Sequence, residues 1–155
     1  ELKFENGVLT ASGNADSNWL NEAKKLSAAI GGVNEFSFAA DGLIQKTNSS
    51  NIVFNCGTID YAEGQTAKIN SIAKDLELLA DTNKKWSLEV RGQTDATGSP
   101  EINAQLSRQR AEKVVAELNK SAKLNSVKQL IIAVADGAEK DSGCQVDFKF
   151  NLEKR

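Results

Sequence analysis

Apolar and polar residues alternate through the opening stretch LKFENGVLTASGNA, and the alternation turns over at Asn6-Gly7. An Asn-Gly pair accepts the positive φ angles of a two-residue turn, so the stretch predicts a β-hairpin. The period then changes. Leu20, Ala23, Leu26 and Ile30 recur at helical spacing behind Asp16 and Ser17, either of which can cap the helix, and Gly31-Gly32 is expected to end it. VNEFSFAA restores the alternation, with Phe36 and Phe38 on one face. These elements predict a small ββαβ unit over residues 1–44. The polar, turn-rich run DGLIQKTNSS reads as a linker, with the boundary at 45–50.

A second, longer pattern fills residues 51–155. NIVFN predicts a strand, and Ile69, Ile72, Ala73, Leu76 and Leu79 fall in helical register. KWSLEVRG alternates, placing Trp86, Leu88 and Val90 on one face. A helix follows from Pro100, with Ser99 as its cap. NKSAKLNS reads as a polar connection, KQLIIAVA as a strand and DGAEKDSG as a loop. CQVDFKFNLE is a closing strand with Val146, Phe148 and Phe150 on one side. The order β-α-β-α-β-β implies the α+β class, one mixed sheet with two helices on one face.

One position breaks the pattern. At about 100° per residue, with Leu106 at zero, Val114, Leu118, Ala111 and Val115 of the second helix span an apolar arc from about 80° to 180°. Arg110 falls near 40°, between Leu106 and that arc, while Arg108, Glu112 and Lys113 lie outside it. A partly desolvated guanidinium keeps its charge, so an anion is expected near it. Asp95, in the turn before the helix, is the nearest candidate. Two readings stay open. Asp95 and Arg110 pair with each other and fix the helix on the sheet. Or they are held apart, each meeting the opposite charge of a zwitterionic ligand.

Charge and composition narrow the chemistry. The net charge of −2 offers no general attraction for nucleic acid. No stretch approaches the roughly 20 apolar residues of a membrane-spanning helix. The chain shows neither signal peptide nor initiating Met, and is expected to be a processed or trimmed piece of an exported protein. Histidine is absent, which removes the commonest general base and metal ligand. With no compact carboxylate pair and no metal-binding motif, a non-enzyme without cofactor or metal is expected. DGAEKDSG lacks calcium-loop spacing. Trp19 and Trp86 are expected in core or at an interface edge. Cys56 and Cys144 form no CxxC motif; buried thiols and a long-range disulfide both remain open.

The spaced set Thr94, Asp95, Gly98, Asn103, Leu106, Ser107, Arg110, Ala111, Val114 and Leu118 resembles the signature of the OmpA-like C-terminal domain family. NIVFNCGTID is similar to that family's first strand, and the helix from Glu63 to Leu79 to its first helix. The resemblance covers about Asn51 to Glu153. It implies a βαβαββ fold that binds peptidoglycan non-covalently through diaminopimelate of the stem peptide. Asp95 would receive the ligand's ammonium and Arg110 its carboxylate, with Asn55, Thr94 and Asn103 supplying neutral hydrogen bonds. It also implies a periplasmic, envelope-bound protein, attached to the outer membrane in its full-length form. Two departures stand out. Gln93 replaces the family's usual histidine, and DSGCQV replaces a segment ending N-R-R-V, of which only Val146 survives. A scaffold that has lost the ligand is the alternative these departures suggest. NGVLTASGNADSNWLNEAKKLSAAIGGVNEF is similar to part of a BON module, which implies contact with phospholipid or envelope proteins.

Overall fold

The computed structural model describes residues 1–12, 17–38, 41–80, 86–95, 97–135 and 143–152. The chain forms two compact units, Glu1–Lys46 and Thr47–Arg155.

In the first unit, β1 (Leu2–Glu5) and β2 (Val8–Ala11) form the expected hairpin, with Asn6 and Gly7 at φ 50° and 81°. Helix α1 (Ser17–Ala28) carries the chain over to β3 (Glu35–Phe38), which pairs parallel to β2. The ββαβ order therefore holds. The proposed caps Asp16 and Ser17 lie outside the described residues and side chains. The apolar stripe of α1 is only partly used: Leu20 is buried, whereas Leu26 and Ile30 are exposed. The helix stops at Ala28, short of Ile30 and of the expected Gly31-Gly32 end. The buried line runs instead through Leu20 and Ser27, about 20° apart on the wheel, and Leu26 lies about 120° away from Leu20.

The stretch expected to be a linker is largely helical. α2 (Asp41–Asn48) buries Leu43 and Thr47, four residues apart on one face, and the division between the units falls within it. Threonine carries no hydrophobic signal, which is why the periodicity was invisible. Asn48 Oδ1 accepts a 2.7 Å hydrogen bond from Phe150 N.

The second unit holds β4 (Asn51–Val53), α3 (Gln65–Ala80), β5 (Trp86–Gly92), α4 (Pro100–Leu118), the short helix α5 (Ala122–Asn125), a 3-10 turn (Lys128–Leu130), β6 (Ile131–Ala135) and β7 (Gln145–Leu152). The sheet order is β4-β7-β5-β6, antiparallel except for the β5–β6 pair. Registered pairs Leu88↔Phe150, Val90↔Phe148 and Gly92↔Val146 fill the buried face, and Ser87↔Asn151, Glu89↔Lys149 and Arg91↔Asp147 the polar one. That alternation is the reason both long helices lie on one side. Trp86 is core, stacked on Phe150 at 5.2 Å, and Trp19 is exposed.

Two expectations need correction here. NKSAKLNS is not a plain connection: Ser121 Oγ caps α5, whose Leu124 is fully buried. The strand expected from KQLIIAVA starts only at Ile131, because Lys128–Leu130 close a 3-10 turn. Of the DGAEKDSG loop, only Gly143 is among the described residues.

Gly92 sets how closely α4 approaches the sheet. A Cβ there would sit 1.7 Å from the Ser107 carbonyl oxygen, inside any possible contact. Gly92→Ala must therefore push α4 off β5. We expect a loss of several kcal/mol, at least about 3, larger than an ordinary overpacking substitution. A chemical denaturation midpoint within error of wild type would contradict this.

Candidate ligand-binding site

Three segments converge at one end of the second sheet. The chain leaves β4 through Phe54, Asn55 and Cys56; it leaves β5 through Gln93, Thr94 and Asp95; and it enters β7 at Cys144 and Gln145. Main-chain bonds join them: Phe54 N donates to Cys144 O and Gln93 N to Gln145 O, each at 2.8 Å. Helix α4 closes the site. Its N-terminus is built as the sequence implies, with Ser99 Oγ accepting from Ile102 N at 3.2 Å and Pro100 at the first position. Gly98, at φ 96°, supplies the turn that a side chain would strain.

The buried face of α4 comprises Asn103, Ser107, Arg110, Ala111, Val114 and Leu118. On the helical wheel these fall between about 40° and 140°, so Arg110 lies inside the buried arc, while Leu106 and Val115 are the half-exposed flanks. Arg110 is 0% exposed.

Its charge is met in a way the sequence did not suggest. Arg110 Nε donates to Thr58 O at 3.0 Å, Nη1 to Gln93 O at 2.8 Å and Nη2 to Asn55 O at 3.5 Å. The guanidinium carbon lies 5.4 Å from the centre of the Phe54 ring. Arg110 thus ties the turn after β4 to the end of β5 through main-chain carbonyls. No sequence signal marks a carbonyl as a partner, since every residue has one. Lys113, one turn on, repeats the device by donating to Ile59 O at 2.6 Å.

Asp95 is half-buried and accepts from Thr97 Oγ1 at 2.7 Å. No ion pair joins it to Arg110 among the described residues. Asp95 still acts on Arg110: burial pulls the Arg110 pKa below its ordinary value, and the Asp95 carboxylate acts in the opposite direction. Of the remaining candidates, Asn55 is exposed, Thr94 is fully buried and Asn103 is buried with Oδ1 against Gly98. All five stand around the α4 end of the sheet.

Gln93 has a larger part than expected. Besides receiving Arg110, it donates through Nε2 to Asp147 Oδ2, and Gln145 Nε2 donates to Asp147 Oδ1 at 2.7 Å. The cysteines form a disulfide across 88 positions, settling the alternative in favour of the crosslink. Its two sulfurs and a carboxylate oxygen of Asp95 lie within 4.8 Å of one another.

Beneath the turn, Tyr61 packs on Phe54 at 5.0 Å and under Lys113 Nζ at 4.5 Å. Its hydroxyl is buried without a partner among the described residues, and burial, then Glu117, push its pKa up to about 12. This is the chain's single tyrosine. The folded state resists its ionisation, so stability should fall as pH rises from about 10, the unfolded value, towards about 12. Ultraviolet titration of the native chain should show phenolate appearing near pH 12; a midpoint at 10 would contradict the burial.

The OmpA family model matches residues 53–143. The chain belongs to the OmpA family. Its match starts in β4 and takes in Asn55, Thr94, Asp95, Asn103 and Arg110. Solved structures share the fold. The peptidoglycan-associated lipoprotein from Burkholderia pseudomallei is 19% identical, with a TM-score of 0.53 over 73% of this chain and 97% of that one. An outer membrane protein from Borrelia burgdorferi B31 is 25% identical, with a TM-score of 0.51 over 64% and 83%. The C-terminal domain of Helicobacter pylori MotB is 18% identical, with a TM-score of 0.54 over 67% and 85%. No curated protein sequence matches the chain significantly. No helix among the described residues is long and apolar enough to cross a membrane.

Proposed function

We propose that the OmpA-like unit binds peptidoglycan reversibly and without catalysis, through diaminopimelate of the stem peptide, and tethers an envelope protein to the cell wall in the periplasm. The observation that carries this reading is the state of the two charges. The Asp95 carboxylate acts on Arg110 without pairing with it; Arg110 donates to three carbonyls, and Asp95 accepts from a hydroxyl. A zwitterion completes the arrangement. Its ammonium takes Asp95, and its carboxylate takes Arg110 by displacing the long 3.5 Å bond to Asn55 O, the weakest of the three. Asn55, Thr94 and Asn103 add neutral hydrogen bonds. Family membership, and the peptidoglycan association in the name of the Burkholderia relative, support this ligand class.

The complete burial of Arg110 favours a second reading, a scaffold in which the guanidinium only braces the turns. Co-sedimentation with purified sacculi separates the two. Wild type should pellet, and Asp95→Asn should weaken binding about 10–100-fold, the worth of a charge-assisted hydrogen bond, with an unchanged melting curve. A wild type that stays in the supernatant supports the scaffold; an Asp95→Asn variant that binds like wild type removes Asp95 from the site.

A further inference from the structure

We propose that the reduced form of this chain carries a site for a thiophilic divalent cation, built from Cys56 Sγ, Cys144 Sγ and a carboxylate oxygen of Asp95. Those three atoms already lie within 4.8 Å of one another. A tetrahedral ion bound at about 2.3 Å from sulfur and about 2.1 Å from oxygen needs ligand atoms roughly 3.5–3.8 Å apart. Breaking the sulfur–sulfur bond lets side-chain rotation supply that spacing.

The backbone carrying the ligands does not depend on the disulfide. Phe54 N–Cys144 O holds the Cys56 segment beside β7, and Gln93 N–Gln145 O holds the Asp95 segment on the other side of it. Arg110 fastens the Asn55 and Gln93 carbonyls from beneath. Reduction therefore frees two thiols beside the Asp95 carboxylate, on a frame that main-chain bonds keep closed. Cys56 is exposed, which gives a reductant access. The chemistry balances. A dithiol delivers two electrons and two protons to the Cys56–Cys144 bond and becomes a cyclic disulfide; the two thiols then lose their protons as the ion binds. Two soft thiolates with one carboxylate suit zinc or cadmium over magnesium or calcium, with water as the fourth ligand.

A consequence rests on the proposed function: an ion that occupies Asp95 leaves no carboxylate for a ligand ammonium, so metal and peptidoglycan exclude each other.

The test titrates cadmium into the full chain, reduced with dithiothreitol and freed of it anaerobically, reading thiolate-to-cadmium charge-transfer absorbance. One equivalent should bind to the reduced chain and none to the oxidised chain. Asp95→Asn should weaken binding at least about tenfold, since even indirect ligand partners are worth about that much. Three results overturn the proposal: reduced wild type binding no tighter than the Cys56→Ser/Cys144→Ser double variant, Asp95→Asn binding as tightly as wild type, or reduced chain losing its circular dichroism at 25 °C. Because no wall fragment is present, these outcomes are independent of peptidoglycan binding. A separate arm measures whether cadmium releases the reduced chain from sacculi.

Discussion

Arg110→Leu should lower the stability of the second unit by about 2–4 kcal/mol, the cost of leaving the carbonyls it braces without their donor. Leucine fills part of the space but donates nothing. The Thr58 and Gln93 carbonyls would lose the bonds they receive at 3.0 and 2.8 Å, the first part-buried and the second fully buried. Each buried polar group left without a partner costs about 1–3 kcal/mol. Arg110→Lys is the sharper variant. It keeps the charge but offers one nitrogen where the planar fork reaches two separate turns, so it should recover less than half of the loss. Urea denaturation of both variants, followed by circular dichroism, measures this. A leucine variant within about 1 kcal/mol of wild type would show that the guanidinium is not the brace described here.

The crosslink has an effect of similar size. Closing a loop of 88 residues removes unfolded-chain entropy worth about 4.6 kcal/mol in the loop-closure model. Reduction, or the Cys56→Ser/Cys144→Ser double variant, should therefore lower the thermal midpoint by more than 10 °C, at about 4 °C or slightly less per kcal/mol for a unit of this length. The chain should still be folded at 25 °C, because the core of Ile52, Leu76, Leu88, Val90, Val114 and Val146 is untouched. A midpoint that does not move in reductant would mean that the crosslink constrains little in the unfolded chain.

The parts of the fold carried by regular periodicity were legible in the sequence. β5 and β7 alternate along their whole length, and the α4 cap and apolar arc follow directly from Ser99, Pro100 and the 100° step. Short elements with mixed faces were not. α2 buries a threonine beside a leucine, and α5 buries a single leucine. In both, tertiary packing supplied what four to eight residues of pattern could not. α1 errs the other way: its buried line takes in Ser27, a polar residue, and leaves Leu26 exposed.

The site was half legible. That Arg110 points inward could be computed from spacing alone. That its partners are carbonyls of Asn55, Thr58 and Gln93 could not, because the signal lies in the course of the backbone rather than in residue type. Glutamine at 93 looked like a departure from the family pattern; in the structure it links Arg110 to Asp147 through its carbonyl and its amide. The proximity of the disulfide to Asp95 likewise needed coordinates, since Cys56 and Cys144 are distant in the chain.

The most direct measurement follows the Arg110 side chain itself. Its Nε–H group gives its own resonance in a nitrogen-15 correlation spectrum, assignable by comparison with Arg110→Lys. Adding a diaminopimelate-containing muropeptide should shift that resonance together with the Asp95 and Thr97 amides, saturably and with one common dissociation constant. Binding that moves other residues and leaves the Arg110 Nε–H and Asp95 signals in place would contradict a ligand seated between these two charges.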